Sequence, residues 1–138
     1  MLTRLNRQKK HIRRDILDKL EKIFEMQSLL NKDIVTRRNL EHVSKEEWIQ
    51  KQTLAMISEL SELLDEVNFK WWKNKKPVDE QLVKEELVDI LHFFVSMCLV
   101  YGLDASELYQ MYMDKNKENF NRQIGLSEKK GYDSSKQN

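Results

Sequence analysis

Hydrophobic residues between positions 82 and 101 recur at helical spacing and cover most of the circumference of one predicted helix. They are Leu87, Val88, Ile90, Leu91, Phe93, Phe94, Val95, Met97, Leu99 and Val100. A helix that is apolar on nearly every side is typical of a protein interior. One stripe of polar residues interrupts it, formed by Glu85, Glu86, Asp89, His92 and Ser96. Because buried carboxylates are costly without a cation or a proton, the pattern predicts a charged site in the core.

A second amphipathic helix is predicted upstream, over residues 45–69. Its apolar face is made by Thr53, Met56, Ile57, Leu60, Leu63, Leu64 and Val67, and its bordering acids include Glu59 and Glu62. Antiparallel packing through a short polar turn around Pro77 would bring Glu59, Glu62, Glu86 and Asp89 to one point. Carboxylates held on rigid helices favour Mg²⁺, or Mn²⁺, as the bound ion. The alternative for each acid pair is an ordinary solvated helix face.

The remaining pattern predicts an all-α fold, a helical bundle of four to five helices. A first helix is expected over residues 5–32, and a fourth over residues 105–123. Ser44 with Glu47 is typical of a capping box, Asp79 and Asp104 are expected N-caps, and Gly102 is expected to end the third helix. Trp71 and Trp72 are expected to end the second helix. We expect one catalytic domain, residues 1–124, and a flexible tail, residues 125–138, that closes over the site.

Composition limits the classes of partner. The formal net charge is +1, which argues against a dedicated nucleic-acid or anionic-membrane binder. Cys98 is the only cysteine, so an internal disulfide is impossible and a cytoplasmic location is expected. The apolar residues exceed what one small bundle can bury, which favours a homodimer with a shared core.

Three motifs carry a resemblance to a known family: Glu-Leu-Ser-Glu-Leu-Leu-Asp at 59–65, Lys-x-Trp-Lys-Asn at 70–74, and Glu-Leu-Val-Asp-Ile-Leu-His-Phe at 86–93. A further series follows in Lys115, Asn119, Arg122, Gln123 and Gly131-Tyr132. Together they resemble the dimeric, all-α dUTP diphosphatases of the all-α NTP pyrophosphatase superfamily. The resemblance extends over residues 26–132.

The resemblance implies Mg²⁺-dependent hydrolysis of dUTP, and of dUDP, to dUMP, with pyrophosphate as the other product from dUTP. It implies metal ligation by Glu59, Glu62, Glu86 and Asp89, with Glu59 or Glu62 also catalytic as the base that activates water. The phosphate-binding residues it implies are Lys70, Lys73, Lys115 and Arg122, and the nucleoside-binding residues are Gln27, Asn31, Trp72, Asn119 and Tyr132. His92 either orients a metal-binding carboxylate from behind or is a core histidine with one hydrogen bond.

Three alternatives stay open. A sister enzyme with the same metal site would prefer dCTP or modified nucleotides. A non-enzymatic helical interaction module would bind no metal. A di-iron carboxylate bundle is disfavoured because that design uses Glu-x-x-His pairs on two helices, whereas this chain has only Asp89-x-x-His92.

Overall fold

The computed structural model describes residues 19–129 and residue 131 of the 138-residue chain. These residues form four helices and no strand: α1 (Lys19–Arg37), α2 (Lys45–Glu66), α3 (Glu80–Val100) and α4 (Ala105–Gln123). The predicted all-α fold is therefore confirmed.

The predicted helix starts are confirmed by their capping hydrogen bonds. At α2, the Glu47 backbone N–H donates to Ser44 Oγ at 3.2 Å, and the Ser44 N–H donates to Glu47 Oε2 at 3.1 Å. Asp79 accepts from two backbone N–H groups at the start of α3, and Asp104 accepts from Glu107 N at 2.8 Å at the start of α4. Each cap satisfies donors that the first helical turn leaves without partners.

Two predicted boundaries are wrong. Helix α1 continues past Lys32 to Arg37, while its predicted beginning at residue 5 lies outside the described residues. Helix α2 ends at Glu66, before the two tryptophans that were expected to end it. The physical reason is Asn68, whose φ of 57° places it in the left-handed region, where a right-handed helix cannot continue.

The chain divides into two compact units, residues 1–103 and residues 104–138, and each is described by itself. In the first unit α2 and α3 pack antiparallel. Lys45 Nζ lies 5.1 Å from the centre of the Tyr101 ring, and Thr53 Oγ1 lies 3.6 Å from Met97 Sδ. Helix α1 packs on the C-terminal half of α3 through polar side chains. The expected single domain over 1–124 with a closing tail stays a prediction.

The apolar surface of α2 and α3 is only partly buried within the chain. Phe24, Val95 and Cys98 are buried in the first unit, whereas Leu54 is 67% exposed and Leu87 is 52% exposed. The expectation that α3 would be buried on nearly every side is thus not met by one copy of the chain. Among the described helices, none alone has the length and hydropathy to cross a membrane. The bent pair formed by α3 and α4 does have the length and composition of a membrane span, but by those two measures only.

Candidate metal and nucleotide site

Carboxylates from α2 and α3 converge in the first unit. Glu59 and Glu62 lie one turn apart on α2, and Glu86 lies on the adjacent stretch of α3. One oxygen from each of these three side chains lies within 4.8 Å of the others. Asp89, one turn after Glu86, is close enough for its charge to raise the pKa of both Glu59 and Glu86. We call these four residues the acid cluster.

Desolvation and mutual repulsion make the acid cluster costly without a cation. Burial is the main cause that raises the pKa of Glu59, and the charges of Glu62 and Asp89 add to it, while a hydrogen bond with Glu86 opposes it. Burial likewise raises the pKa of Glu86, with further contributions from Glu62, Glu59, Asp89 and then Glu66. Glu86 Oε2 is buried and has no hydrogen-bond partner among the described residues. A buried, unpaired carboxylate oxygen is the kind of atom that a cation or a donor normally satisfies.

Nearby lysines pair with other acids. Lys70 Nζ lies 2.5 Å from Asp65 Oδ1, and Lys76 Nζ lies 3.7 Å from Glu66 Oε1. The structure records no ion pair between the acid cluster and a basic side chain among residues 19–129. Several convergent, unneutralised oxygen donors on rigid helices suit a hard divalent cation such as Mg²⁺.

A polar network lies next to the acid cluster along α3. Gln27 Nε2 donates to Asn31 Oδ1 at 2.9 Å, and Gln27 Oε1 lies 2.5 Å from His92 Nδ1. Asn31 and Ser96 are joined at 3.2 Å, and Ser96 Oγ donates to the His92 carbonyl at 2.8 Å. The structure thus brings together Gln27, Asn31 and His92, three of the predicted site residues. The hydrogen bond recorded for the His92 ring is to Gln27 rather than to a carboxylate.

A cavity of about 340 Å³ opens beside this network, between α1, α2 and α3. Its lining includes Asn31, Trp48, Gln52 and Ser96, but not Gln27, which is 7% exposed and bonded to its neighbours. We call it the α1–α3 cavity. Sequence reasoning missed Gln52, because its place at the cavity depends on how α1 and α3 pack against α2 and not on its spacing from Glu59 alone.

The loop after α2 carries three of the predicted ligand-binding residues. Lys70 and Lys73 line a second cavity of about 310 Å³, together with Asn68 and Asn74. Trp72 is 59% exposed and meets Trp71 edge-to-face, with ring centres 4.6 Å apart. It does not line the α1–α3 cavity, where Trp48 is the tryptophan present.

The other predicted residues belong to the second unit. Asn119 and Arg122 line a cavity of about 280 Å³ on α4, and Arg122 Nη1 donates to Asn119 Oδ1 at 3.3 Å. Arg122 Nε also lies 3.3 Å from Glu118 Oε1. Lys115 is exposed on the same helix. Tyr132 lies outside the described residues.

Residues 19–107 match the model of a protein family described as dUTPase. The chain belongs to the all-α dUTPase family. The matched segment contains both acid pairs of the acid cluster. No solved structure matches the chain.

Curated relatives of this dUTPase-family chain come from bacteriophages. A dCTP pyrophosphatase of Enterobacteria phage T4 is 33% identical over 87 aligned positions, covering 53% of this chain and 51% of the relative. A dCTP pyrophosphatase of Enterobacteria phage LZ5 is 32% identical over 74 aligned positions, covering 54% of this chain and 43% of the relative. A DNA replication protein of Enterobacteria phage T4 is 31% identical over 88 aligned positions, covering 54% of this chain and 22% of the relative. The chain thus spans about half the length of the two pyrophosphatases and less of the third relative.

Proposed function

We propose that this protein is a Mg²⁺-dependent nucleoside triphosphate pyrophosphohydrolase that converts dUTP, and also dUDP, to dUMP, releasing pyrophosphate from dUTP. The observation that carries the proposal is the acid cluster. One oxygen each of Glu59, Glu62 and Glu86 lies within 4.8 Å of the others, and one buried oxygen of Glu86 has no partner among the described residues. Membership of the dUTPase family supports the same reaction class.

The four acids of the cluster have two proposed roles, metal binding and proton transfer. Glu59, Glu62, Glu86 and Asp89 would hold Mg²⁺, which when bound neutralises phosphate charge and orients the triphosphate. Glu59 contributes one of the three converging carboxylate oxygens, and we assign its carboxylate to take the proton from the attacking water.

Cationic side chains are needed around the phosphates. Lys70 and Lys73 both line a cavity in the first unit, and Lys115 and Arg122 lie on α4 in the second. We assign all four to phosphate binding. Asn119 and Tyr132 are assigned to the nucleoside and Asn31 to the base, with Gln27 holding Asn31 in position through its hydrogen bond. Trp72 lies outside the α1–α3 cavity and is assigned to the nucleotide at the loop that carries Lys70 and Lys73.

A second candidate substrate is dCTP. The family description indicates dUTP, whereas two phage relatives are named dCTP pyrophosphatases. Both substrates are deoxypyrimidine triphosphates, and a carboxamide such as that of Asn31 can both donate and accept hydrogen bonds at a base edge. The metal chemistry is the same for either base.

Hydrolysis of a panel of deoxynucleotides by the full chain, with and without Mg²⁺, tests the reaction class. We expect Mg²⁺-dependent release of monophosphate and pyrophosphate, highest with dUTP or dCTP. The variant Glu86→Gln should lose at least about a hundredfold in kcat, because it removes a charged ligand. Glu85→Gln is the matched control, since Glu85 is an exposed neighbour bonded to Gln81. Absence of turnover with every nucleotide, from a folded protein supplied with Mg²⁺, would reject the proposal.

We also propose a homodimer. On α2, Ile57, Leu60 and Leu64 form an exposed stripe at helical spacing, with exposures of 55%, 42% and 45%. Leu87 and Phe94 belong to a similar stripe on α3, with exposures of 52% and 39%. Continuous apolar stripes of this kind mark association surfaces. Sedimentation velocity should give a dimeric mass, and Leu60→Lys should shift it to a monomer; a wild-type mass of one chain at all concentrations would refute this.

A further inference from the structure

We propose that Gln52 is a specificity-determining residue that contacts the pyrimidine base of the substrate inside the α1–α3 cavity. The inference rests on the proposed nucleotide hydrolysis and goes beyond it, because it assigns the base-reading contact to a residue outside the family motifs. Three observations carry it, namely an unpaired polar atom, the shape and chemistry of the cavity around it, and its position relative to the acid cluster.

The unpaired atom is Gln52 Oε1. It is buried, and no described residue donates a hydrogen bond to it. A buried carbonyl oxygen without a donor costs free energy that a ligand N–H would recover. Gln27, by contrast, already uses both ends of its carboxamide, one for Asn31 and the other for His92. The structure therefore makes Gln27 a support for Asn31, while Gln52 is left with an unused acceptor.

The cavity has the size and lining of a site for a small, partly polar ring. Its volume of about 340 Å³ is near the lower end of the range for small-molecule sites. Trp48 and Leu99 supply apolar surface, and Asn31, Gln52 and Ser96 supply hydrogen-bonding groups. An aromatic ring beside a few converging polar side chains is the usual arrangement for binding a nucleobase.

Helix geometry places this cavity at a suitable distance from the acid cluster. Gln52 precedes Glu59 by two turns on α2, and Ser96 follows Asp89 by two turns on α3, so each pair shares a helix face. Seven residues of α-helix rise roughly 10 Å. Because α2 and α3 run antiparallel, both offsets point in the same direction along the helix pair. A nucleotide with its phosphates at the acid cluster could thus reach the cavity with its base.

A fixed acceptor discriminates between pyrimidines. Cytosine presents an exocyclic amino group as its donor, whereas uracil presents the N–H of its ring, and the two lie at different positions on the base edge. One carbonyl oxygen at a fixed point cannot satisfy both equally. Gln52 should therefore influence the ratio of dCTP to dUTP turnover, and not only the overall rate.

The test compares Gln52→Met with Gln50→Met in the full-length chain. Methionine is similar in length but has no strong acceptor, and Gln50 is an exposed residue of the same helix. We expect Gln52→Met to lower kcat/KM for the preferred nucleotide about 10- to 100-fold, mostly through KM, and to change the dCTP:dUTP ratio about tenfold. Gln50→Met should stay within about twofold of wild type.

A stability measurement separates base reading from a structural role. Because Gln52→Met removes a buried acceptor that has no partner, the Tm of the nucleotide-free protein should stay the same or rise. A lower Tm with equal losses for every nucleotide would overturn the proposal and make Gln52 structural. An unchanged dCTP:dUTP ratio would overturn it while leaving the hydrolase function intact. A wild-type protein that hydrolyses no nucleotide would instead refute the proposed function, and this inference with it.

Discussion

Asn68 closes the loop that carries Lys70 and Lys73, and its removal gives a quantitative test of how that loop is held. Its Nδ2 donates to the Lys76 carbonyl at 2.9 Å, and the Lys76 backbone N–H donates to its Oδ1 at 3.0 Å. The residue also has a φ of 57°. Asparagine tolerates this backbone conformation, which most side chains avoid. One side chain therefore both ends α2 and joins the two ends of the loop.

The cost of Asn68→Ala follows from these contacts. Each lost hydrogen bond contributes about 0.5–1.5 kcal/mol. Alanine in the left-handed region adds about 1 kcal/mol relative to a tolerant residue. We expect a total loss of about 2–3 kcal/mol in the free energy of unfolding, near the lower end of the sum because the loop is exposed. Asn68→Gly loses the same hydrogen bonds but not the backbone preference, so it should be about 1 kcal/mol less destabilising than Asn68→Ala.

Urea denaturation of Asn68→Ala and Asn68→Gly measures the loss in free energy of unfolding for each variant and the difference between them. Asn74→Ala is the control, because the Asn74 side chain lies in the same loop and forms no hydrogen bond with the described residues, and it should stay within about 0.5 kcal/mol of wild type. The reasoning fails if Asn68→Ala is equally close to wild type, or if the glycine variant is the less stable of the two. If Lys70 and Lys73 bind phosphate, both Asn68 variants should also raise KM for the nucleotide more than they lower kcat.

Three further predictions concern helix capping and the acid cluster. Ser44→Ala should cost about 1 kcal/mol in urea denaturation because it breaks the capping box of α2, whereas Ser61→Ala, within the same helix, should be neutral or stabilising. Glu86→Gln should raise the Tm of the metal-free protein and remove the Tm increase that Mg²⁺ gives to wild type; an equal Mg²⁺ effect in both proteins would refute the assignment. Because the pKa values of Glu59 and Glu86 are raised, the folded protein binds protons more tightly than the unfolded chain. These two groups should therefore increase metal-free stability as the pH falls through their raised folded-state pKa values toward the ordinary glutamate pKa, and Glu86→Gln should weaken that dependence.

Local sequence signals predicted the helix starts well. Ser44, Asp79 and Asp104 all cap helices as expected, because a capping hydrogen bond depends only on residues within one turn. The approach of Glu59 and Glu62 to Glu86 was also predictable. It requires only that two helices with acids at one-turn spacing, joined by a short connection, pack antiparallel.

Long-range contacts were not predictable in the same way. The pairing of Gln27 with His92, and of Asn31 with Ser96, depends on the angle at which α1 crosses α3, which no local pattern determines. For the same reason the sequence did not predict that Gln52 would line a cavity. The early end of α2 was missed because the helical spacing of apolar residues continues to Val67, whereas the backbone of Asn68 overrides that pattern.

The α2–α3 pair presents two kinds of surface, and neither is satisfied by one copy of the metal-free chain. On α2, the acid pair and the exposed stripe through Leu60 and Leu64 differ in direction by more than a quarter of a helical turn, as the helical repeat requires. The acids repel one another without a cation, and the stripe exposes apolar surface without a second copy. The cation and the second copy of the chain would therefore bind different faces of the same two helices. Because both act on the same two helices, we expect Mg²⁺ and self-association to strengthen one another, and sedimentation velocity with and without Mg²⁺ tests this; a dimerisation constant that Mg²⁺ leaves unchanged would refute it.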